Sequence, residues 1–265
     1  MKLNGINGNN EKQTIEFFGN DLPKWFYNTS EKKVGISVSG GADSALLLYL
    51  TAYYFKNFKI VPSSGWENMP KYPLKERPGT LEYAINVVKW VKNKIPDANI
   101  LDHYIYEINL YDENIQCEAN KTYEDRKGTI KELGLTGIQK QIITRNEHRK
   151  LFNNKMIDIM VGGLTSNPPK KVLDSWSEEV YVEPRRSNNK RKECMEGRVY
   201  KPFINVDKKF LNSLYEQHNI LELRDITQSC VGRAKETNWW TKPCKKCFWC
   251  WERKWAFGSY DGGII

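Results

Sequence analysis

Val34-Gly35-Ile36-Ser37-Val38-Ser39-Gly40-Gly41-Ala42-Asp43-Ser44 is the stretch from which the fold is read. Its first five residues are short, β-branched and apolar, the pattern of a buried strand. The run that follows, Ala45 to Phe55, reads as a largely buried helix. The order is therefore strand, tight glycine turn, helix. Adjacent glycines let the backbone take positive φ and approach a bound group with no Cβ in the way. The new helix opens with unpaired N–H groups and the positive end of its dipole, a ready anion site. Ser39 and Ser44 add hydroxyl donors, so the predicted ligand is a phosphate or pyrophosphate. Asp43 beside phosphates would repel them unless a cation stood between, so Mg²⁺ is expected. No lysine follows the glycines, which excludes the Walker loop. The plainer alternative makes Asp43 a simple N-cap.

Outward from this turn, strands and helices alternate, which predicts an α/β fold with a doubly wound, mostly parallel sheet. Lys59-Ile60-Val61 reads as a second strand, ending at the polar turn Pro62–Trp66. Ligands bind at that end of such sheets, which makes Ser63 a candidate nucleotide contact. Thr80 to Ile95 is an amphipathic helix with Leu81, Ala84, Ile85, Val88, Val91 and Ile95 on one face. Tyr104 to Ile108 reads as a third strand, Ile138 to Asn154 as a helix, and Met156 to Val161 as a fourth strand. That strand ends in Gly162-Gly163-Leu164-Thr165, where glycines and a hydroxyl again face the predicted nucleotide. Asp207 to His218 is a further amphipathic helix with Phe210, Leu211, Leu214 and Tyr215 inward.

The 265 residues divide into an N-terminal extension packed on the core (1–30), the core (31–228) and a C-terminal appendage (229–265). Polar insertions are expected at 109–136 and 165–200. Forty-one basic and 32 acidic residues give a net charge of +9, which favours an anionic partner: nucleotide, nucleic acid or both. The basic run Arg185–Lys192 reads as a solvated loop, or as a lid or nucleic-acid contact. No stretch reaches the length of an apolar membrane span. Met1–Gly5 lacks the apolar run of a signal peptide, so a cytoplasmic protein is expected.

Six cysteines in that setting argue for metal or thiol chemistry rather than disulfides. Cys244-Lys245-Lys246-Cys247-Phe248-Trp249-Cys250 is a double CxxC, with Cys230 fourteen positions before it. Four thiolates in this pattern suit tetrahedral Zn²⁺ in a closed, structural site. An iron–sulfur cluster and a redox CxxC are the competing readings. Cys117 and Cys194 have no close cysteine neighbour and read as structural or incidental. His103, His148 and His218 fall in no ligand or triad pattern and read as surface or packing residues.

Ser39-Gly40-Gly41-Ala42-Asp43-Ser44 resembles the PP-loop of the N-type ATP pyrophosphatases. These enzymes cleave ATP to AMP and pyrophosphate and adenylate a substrate oxygen. The resemblance implies that Ser39, Gly40, Gly41, Asp43 and Ser44 hold the pyrophosphate half of ATP. Further stretches are similar to one branch, the 7-cyano-7-deazaguanine synthases: Thr144-Arg145-Asn146 opening a helix, then Ile157–Gly163, Lys201–Ile204, Asp207-Lys208, Thr227–Cys230 and Pro243–Phe257. Thr165–Pro169 departs from that branch, where an Asp-containing stretch is usual. The branch implies conversion of 7-carboxy-7-deazaguanine and ammonia to an amide or nitrile. Asp43, Ser44 and the cationic helper Arg145 would be catalytic, and Arg145, Asn146, Gly163 and Thr165 would contact the substrate. ATP, Mg²⁺ and Zn²⁺ are the implied cofactors. A nucleic-acid base-modifying enzyme of the same superfamily, acting on tRNA or DNA, stays open, as do a non-catalytic nucleotide-binding homologue and a homodimer.

Overall fold

The computed structural model describes residues 1–68, 80–125, 134–176, 192–231, 237 and 242–261. Arg185–Arg191 of the basic run, with parts of both insertions and of the C-terminal appendage, lie outside the described residues.

Two sheets are present among the described residues. A short antiparallel hairpin joins β1 (Lys2–Ile6) to β2 (Lys12–Glu16). The central sheet has six strands: β3 (Lys33–Ser37), β4 (Lys59–Asn68), β5 (Tyr104–Asn109), β6 (Ile159–Gly162), β7 (Met195–Glu196) and β8 (Val199–Tyr200). Their order is β5-β4-β3-β6-β8-β7, and every pairing is parallel except β7 with β8.

The two faces follow from the alternation of side chains along each strand. Val34 is in register with Ile60 on one side and Ile159 on the other. These residues, with Ile36 and Val161, join the large core under α2 (Ala42–Tyr54), α3 (Thr80–Lys94), α7 (Lys208–Gln217) and α8 (Leu221–Asp225). Val61 and Met160 point the other way and pack on Leu151 of α5 (Gly134–Asn153). Gly35 sits between them, and a Cβ there would stand 2.8 Å from Cε of Met160, so its missing side chain leaves space for the methionine. Helices thus cover both faces: the fold is α/β with a doubly wound, mostly parallel sheet. The strand sequence runs outward from β3 through β4 to β5, then reverses to β6. This puts the topological switch point between β3 and β6, where ligands bind in such sheets.

α2 is buried nearly all round. Leu46, Leu47, Leu48 and Leu50 are inaccessible to solvent, and each contributes about 1.5–3 kcal/mol of burial. α3 buries Ala84, Val87, Val88 and Val91, and Ile95, just past its end, is buried too. The expected inward Ile85 is exposed, and Val87, two residues on and about 200° round the helix, is buried instead. Tyr215 of α7 donates its hydroxyl proton to the Ala42 carbonyl at 2.7 Å, fixing α7 to the start of α2.

β4 is longer than the sequence suggests. It continues through Pro62 to Asn68, where a turn was expected from Pro62 to Trp66. Pro62 has no N–H to give. It falls between the Ile60–Ile100 bridge and the β5 ladder that starts at Ser63–Tyr104, where none is required. The fourth strand in sequence order is shorter than expected, Ile159–Gly162. The 109–136 insertion contains α4 (Glu113–Asp125), which packs Ala119 against Ile138 and Ile142 of α5.

The N-terminal residues pack on α7: Ile6 N–H donates to Ser213 Oγ at 3.0 Å, and Gly8 N–H to Asp207 Oδ2 at 2.8 Å. Phe17, Phe18 and Phe26, the last on α1 (Lys24–Asn28), are buried in the main core. α6 (Lys170–Leu173) is a single turn, and α9 (Phe248–Phe257) carries the end of the described chain. No helix among the described residues is long and apolar enough to cross a membrane.

Candidate functional site

The loop between β3 and α2 lies at the switch point. Gly40 has φ +76°, the left-handed region that a Cβ disfavours, whereas Gly41 at φ −86° does not need to be glycine for its backbone. The two serines brace the turn. Ser39 N–H donates to Ser44 Oγ at 3.1 Å, and the two hydroxyl oxygens stand 3.2 Å apart. Ser44 Oγ in turn donates to the Gly41 carbonyl at 3.0 Å, and Gly41 N–H donates to Ser39 Oγ at 3.3 Å. Gln228 N–H donates to the Gly40 carbonyl at 2.9 Å, tying the loop to the segment that leads to Cys230.

Gly41 is the N-cap of α2 and offers no side-chain acceptor, so the dipole end of this thirteen-residue helix has no side-chain cap. Asp43 is inside the helix and does not cap it, which removes the plainer reading of that residue. Its carboxylate instead accepts from Thr165 Oγ1 at 3.3 Å and pairs with Lys208 Nζ at 3.4 Å. Lys208 also reaches Glu252 Oε2 at 3.2 Å, and its side chain is 5% exposed, that of Glu252 0%. Asp207 caps α7, accepting from Lys209 and Phe210 N–H. Burial raises its pKa, Glu252 adds to the rise, and the amide bonds hold it back.

Gly163 closes the back of the loop. A Cβ there would stand 2.7 Å from the Asp43 carbonyl carbon and 2.8 Å from Ser44 N, so β6 can approach α2 only without a side chain. The structure thus brings Ser39, Gly40, Gly41, Asp43, Ser44, Gly163 and Thr165 together. Ser63 lies inside β4, buried; its carbonyl accepts from Val38 N–H at 2.8 Å. Thr144–Asn146 lie in the middle of α5, not at a helix start. Arg145 pairs with Glu118 of α4 at 2.7 Å, and among the described residues it makes no ion pair with the loop. Among the described residues, a cation paired with Asp43 is Lys208. The sequence carried a sign of it in Asp207-Lys208, a capping residue and a lysine opening an amphipathic helix.

Ser64 and His103 also sit at this end of the sheet. Ser64 Oγ donates to the Val38 carbonyl at 2.5 Å and lies 2.7 Å from His103 Nε2. Burial, helped by nearby Lys92, pushes the His103 pKa down to about 4, so its ring is neutral at ordinary pH.

Mg²⁺ takes oxygen ligands, usually one or two carboxylates plus substrate phosphates. Asp43 offers such an oxygen beside the uncapped helix end and fits that role.

The second feature is a cysteine knuckle. The sulfurs of Cys230, Cys244, Cys247 and Cys250 all lie within 4.8 Å of one another. Around one ion at about 2.3 Å, tetrahedral thiolates stand about 3.8 Å apart; Cys244 and Cys250 are 3.9 Å apart. In a 4Fe-4S cluster each thiolate takes a different iron, and in a 2Fe-2S cluster the four divide between two irons, so either needs a wider spread. The set therefore fits a single metal ion. Lys245 has φ +61°, a turn that lets Lys246 and Cys247 both donate N–H to Cys244 Sγ, at 3.4 and 3.3 Å. Cys244 N–H donates to Cys230 Sγ at 3.2 Å. Cys247 is the N-cap of α9, and Cys250 follows in its first turn. Hydrogen bonds among the sulfurs raise two of the thiols. Cys247 is pushed up to about 12, chiefly by its hydrogen bond with Cys230, and Cys250 is raised by its bonds with Cys230 and Cys247.

Arg253, 1% exposed, anchors this unit. Its guanidinium donates to Thr227 Oγ1 at 2.8 Å and the Arg224 carbonyl at 2.9 Å, and pairs with Asp261 at 2.8 Å. The other Asp261 oxygen accepts from Ser229 and Cys230 N–H, at 2.8 and 2.7 Å.

No family model and no curated protein matches this chain. Solved structures similar to it include an NMN synthetase from Francisella tularensis, at 11% identity and TM-score 0.43, covering 88% of this chain and 80% of that one. The U34-tRNA thiolase NcsA from Methanococcus maripaludis, with its 4Fe-4S cluster, is 17% identical at TM-score 0.42, covering 77% of this chain and 60% of that one. An NAD⁺ synthetase from Burkholderia pseudomallei is 9% identical at TM-score 0.40, covering 89% and 77%.

Proposed function

We propose that this chain is an ATP-dependent enzyme of the PP-loop type, which transfers AMP to an oxygen of an acceptor and releases pyrophosphate. The observation that carries this reading is the uncapped start of α2 at the switch point, with Ser39 and Ser44 bracing the turn and Asp43 at its edge. The N–H groups of the loop and first helical turn bind the β- and γ-phosphates, and the braced hydroxyls hold them in place. Fixed dipoles of this kind stabilise charge as it develops on the leaving pyrophosphate without reorganising. Mg²⁺ held by Asp43 and phosphate oxygens would neutralise part of that charge. Lys208 keeps the Asp43 carboxylate oriented, and Thr165 fixes its second oxygen.

The acceptor we propose is a carboxylated deazapurine of the 7-carboxy-7-deazaguanine kind, with ammonia as second substrate; the sequence resemblance supports this. The carboxylate attacks the α-phosphorus and pyrophosphate leaves. Ammonia displaces AMP from the acyl adenylate and loses a proton, giving the amide. A second ATP adenylates the amide oxygen, and loss of AMP and a proton leaves the nitrile. Gly163 and Thr165, at the end of β6, and Arg145 and Asn146, on α5, are the candidate acceptor contacts. Zn²⁺ is the proposed occupant of the knuckle. All four of its positions are filled by protein, so its role is to hold α9 in place.

The test is product analysis. ATP, Mg²⁺ and ammonia are supplied with a panel of aromatic carboxylates that includes 7-carboxy-7-deazaguanine. AMP and pyrophosphate should form in equal amounts, only with an acceptor, and disappear in Asp43→Ala. Products of ADP and phosphate would overturn the reading. AMP formed with another acid but not with the deazapurine would overturn the acceptor alone. Binding of tRNA or DNA that weakens steeply with salt would point to a base-modifying enzyme instead.

A further inference from the structure

We infer that Glu252 and Lys208 are positioning residues that join the cysteine knuckle to the nucleotide loop, so that metal in the knuckle and MgATP at the loop each favour the binding of the other. The inference rests on the ATP reading above. One ammonium, Lys208 Nζ, stands 3.4 Å from Asp43 Oδ1 of α2 and 3.2 Å from Glu252 Oε2 of α9. The three side chains are 5%, 17% and 0% exposed, so solvent screens the exchange weakly. Lys208 is shared, and whatever loosens one carboxylate moves the ammonium toward the other.

Glu252 lies two residues after Cys250, on the helix that Cys247 caps. Its neighbour Arg253 grips Asp261, whose carboxylate holds the N–H of Cys230. The helix that positions Glu252 is thus fastened at three of the four cysteines. With an ion bound, the sulfurs are thiolates drawn to one point and the first turn of α9 is fixed. With the ion removed, the sulfurs lose their common centre and that turn loses its clamp. Glu252 then releases Lys208, which settles on Asp43 and neutralises the carboxylate that must face Mg²⁺. Asp43 thereby becomes a poorer partner for MgATP. By linkage the converse holds: MgATP on Asp43 draws Lys208 to Glu252 and steadies the knuckle.

The zinc-loaded chain is challenged with excess coloured chelator at fixed free Mg²⁺, with and without ATP. ATP should slow zinc release about tenfold, within the usual range of coupling between sites. In Glu252→Gln the Mg²⁺ needed for half-maximal ATP binding should rise about tenfold, and the slowing of release should vanish. A purely structural glutamate would lower stability without moving the Mg²⁺ requirement. ATP bound by the wild-type chain with no change in zinc release overturns the coupling and leaves the ATP reading standing. Failure of the wild-type chain to bind MgATP at all overturns both. The wild-type pair of measurements decides the matter even if Glu252→Gln does not fold.

Discussion

A methyl group on Gly163 would stand 2.7 Å from the carbonyl carbon of Asp43, which is backbone and has no rotamer to give way. Gly163→Ala should therefore separate β6 from α2. A cost of about 1–3 kcal/mol in unfolding free energy is expected, as for other overpacked sites. A loop displaced by about 1 Å should also slow AMP formation by about 10²-fold. Gly162→Ala is the control: nothing lies within 4 Å of a Cβ there, and neither quantity should change. Thermal unfolding and the product assay read both. The sequence pointed to Gly163 because it ends a strand. It could not show that the neighbour it accommodates is Asp43, 120 positions earlier in the chain. Lys208 escaped for the same reason. A lysine that opens an amphipathic helix looks like a solvated residue until the fold sets two carboxylates against it.

At the scale of elements, α9 is held by one buried guanidinium, and Arg253→Met removes it while keeping most of its volume. Asp261 is then left as a buried carboxylate without its cation, which costs about 3–5 kcal/mol. The expected outcome is a lower unfolding midpoint and faster loss of metal to a chelator, checked by calorimetry and by the chelator's absorbance. Elements with strong periodicity were legible: β3, α2, α3 and α7 are where the apolar pattern puts them. β4 was read short, because Pro62 reads as a stop unless the gap in its neighbour's ladder is known. β7 and β8 have two residues each and carry no pattern of their own. α4 falls in a stretch legible only as a polar insertion, because its exposed face is polar and Ala119 is its one fully buried residue among those described.

For the whole molecule, half-buried imidazoles set a pH dependence, and His218, also lowered by burial, adds to it. His103 and His148 are each pushed down to about 4, chiefly by burial, from an ordinary 6.5. Between those values the unfolded chain takes up protons that the folded chain refuses, so stability falls as pH falls from 6.5 toward 4. Asp207, held above its ordinary value by burial, acts in the opposite sense at the acid end. Replacing both histidines with asparagine should lessen the slope of the unfolding midpoint across that window while leaving the contributions of His218 and Asp207 in place. An unchanged slope would show that neither ring is the cause. The alternation of strands and helices made the sheet, and the end at which such sheets bind ligands, legible in the sequence. The side of each crossover, and hence the company Asp43 keeps, came only with the fold. The most direct measurement is a crystal structure with a non-hydrolysable ATP analogue and Mg²⁺. The account predicts the β- and γ-phosphates against Ser39–Ser44 at the first turn of α2, with Mg²⁺ on Asp43. A nucleotide seated anywhere else, with that turn empty, would contradict it.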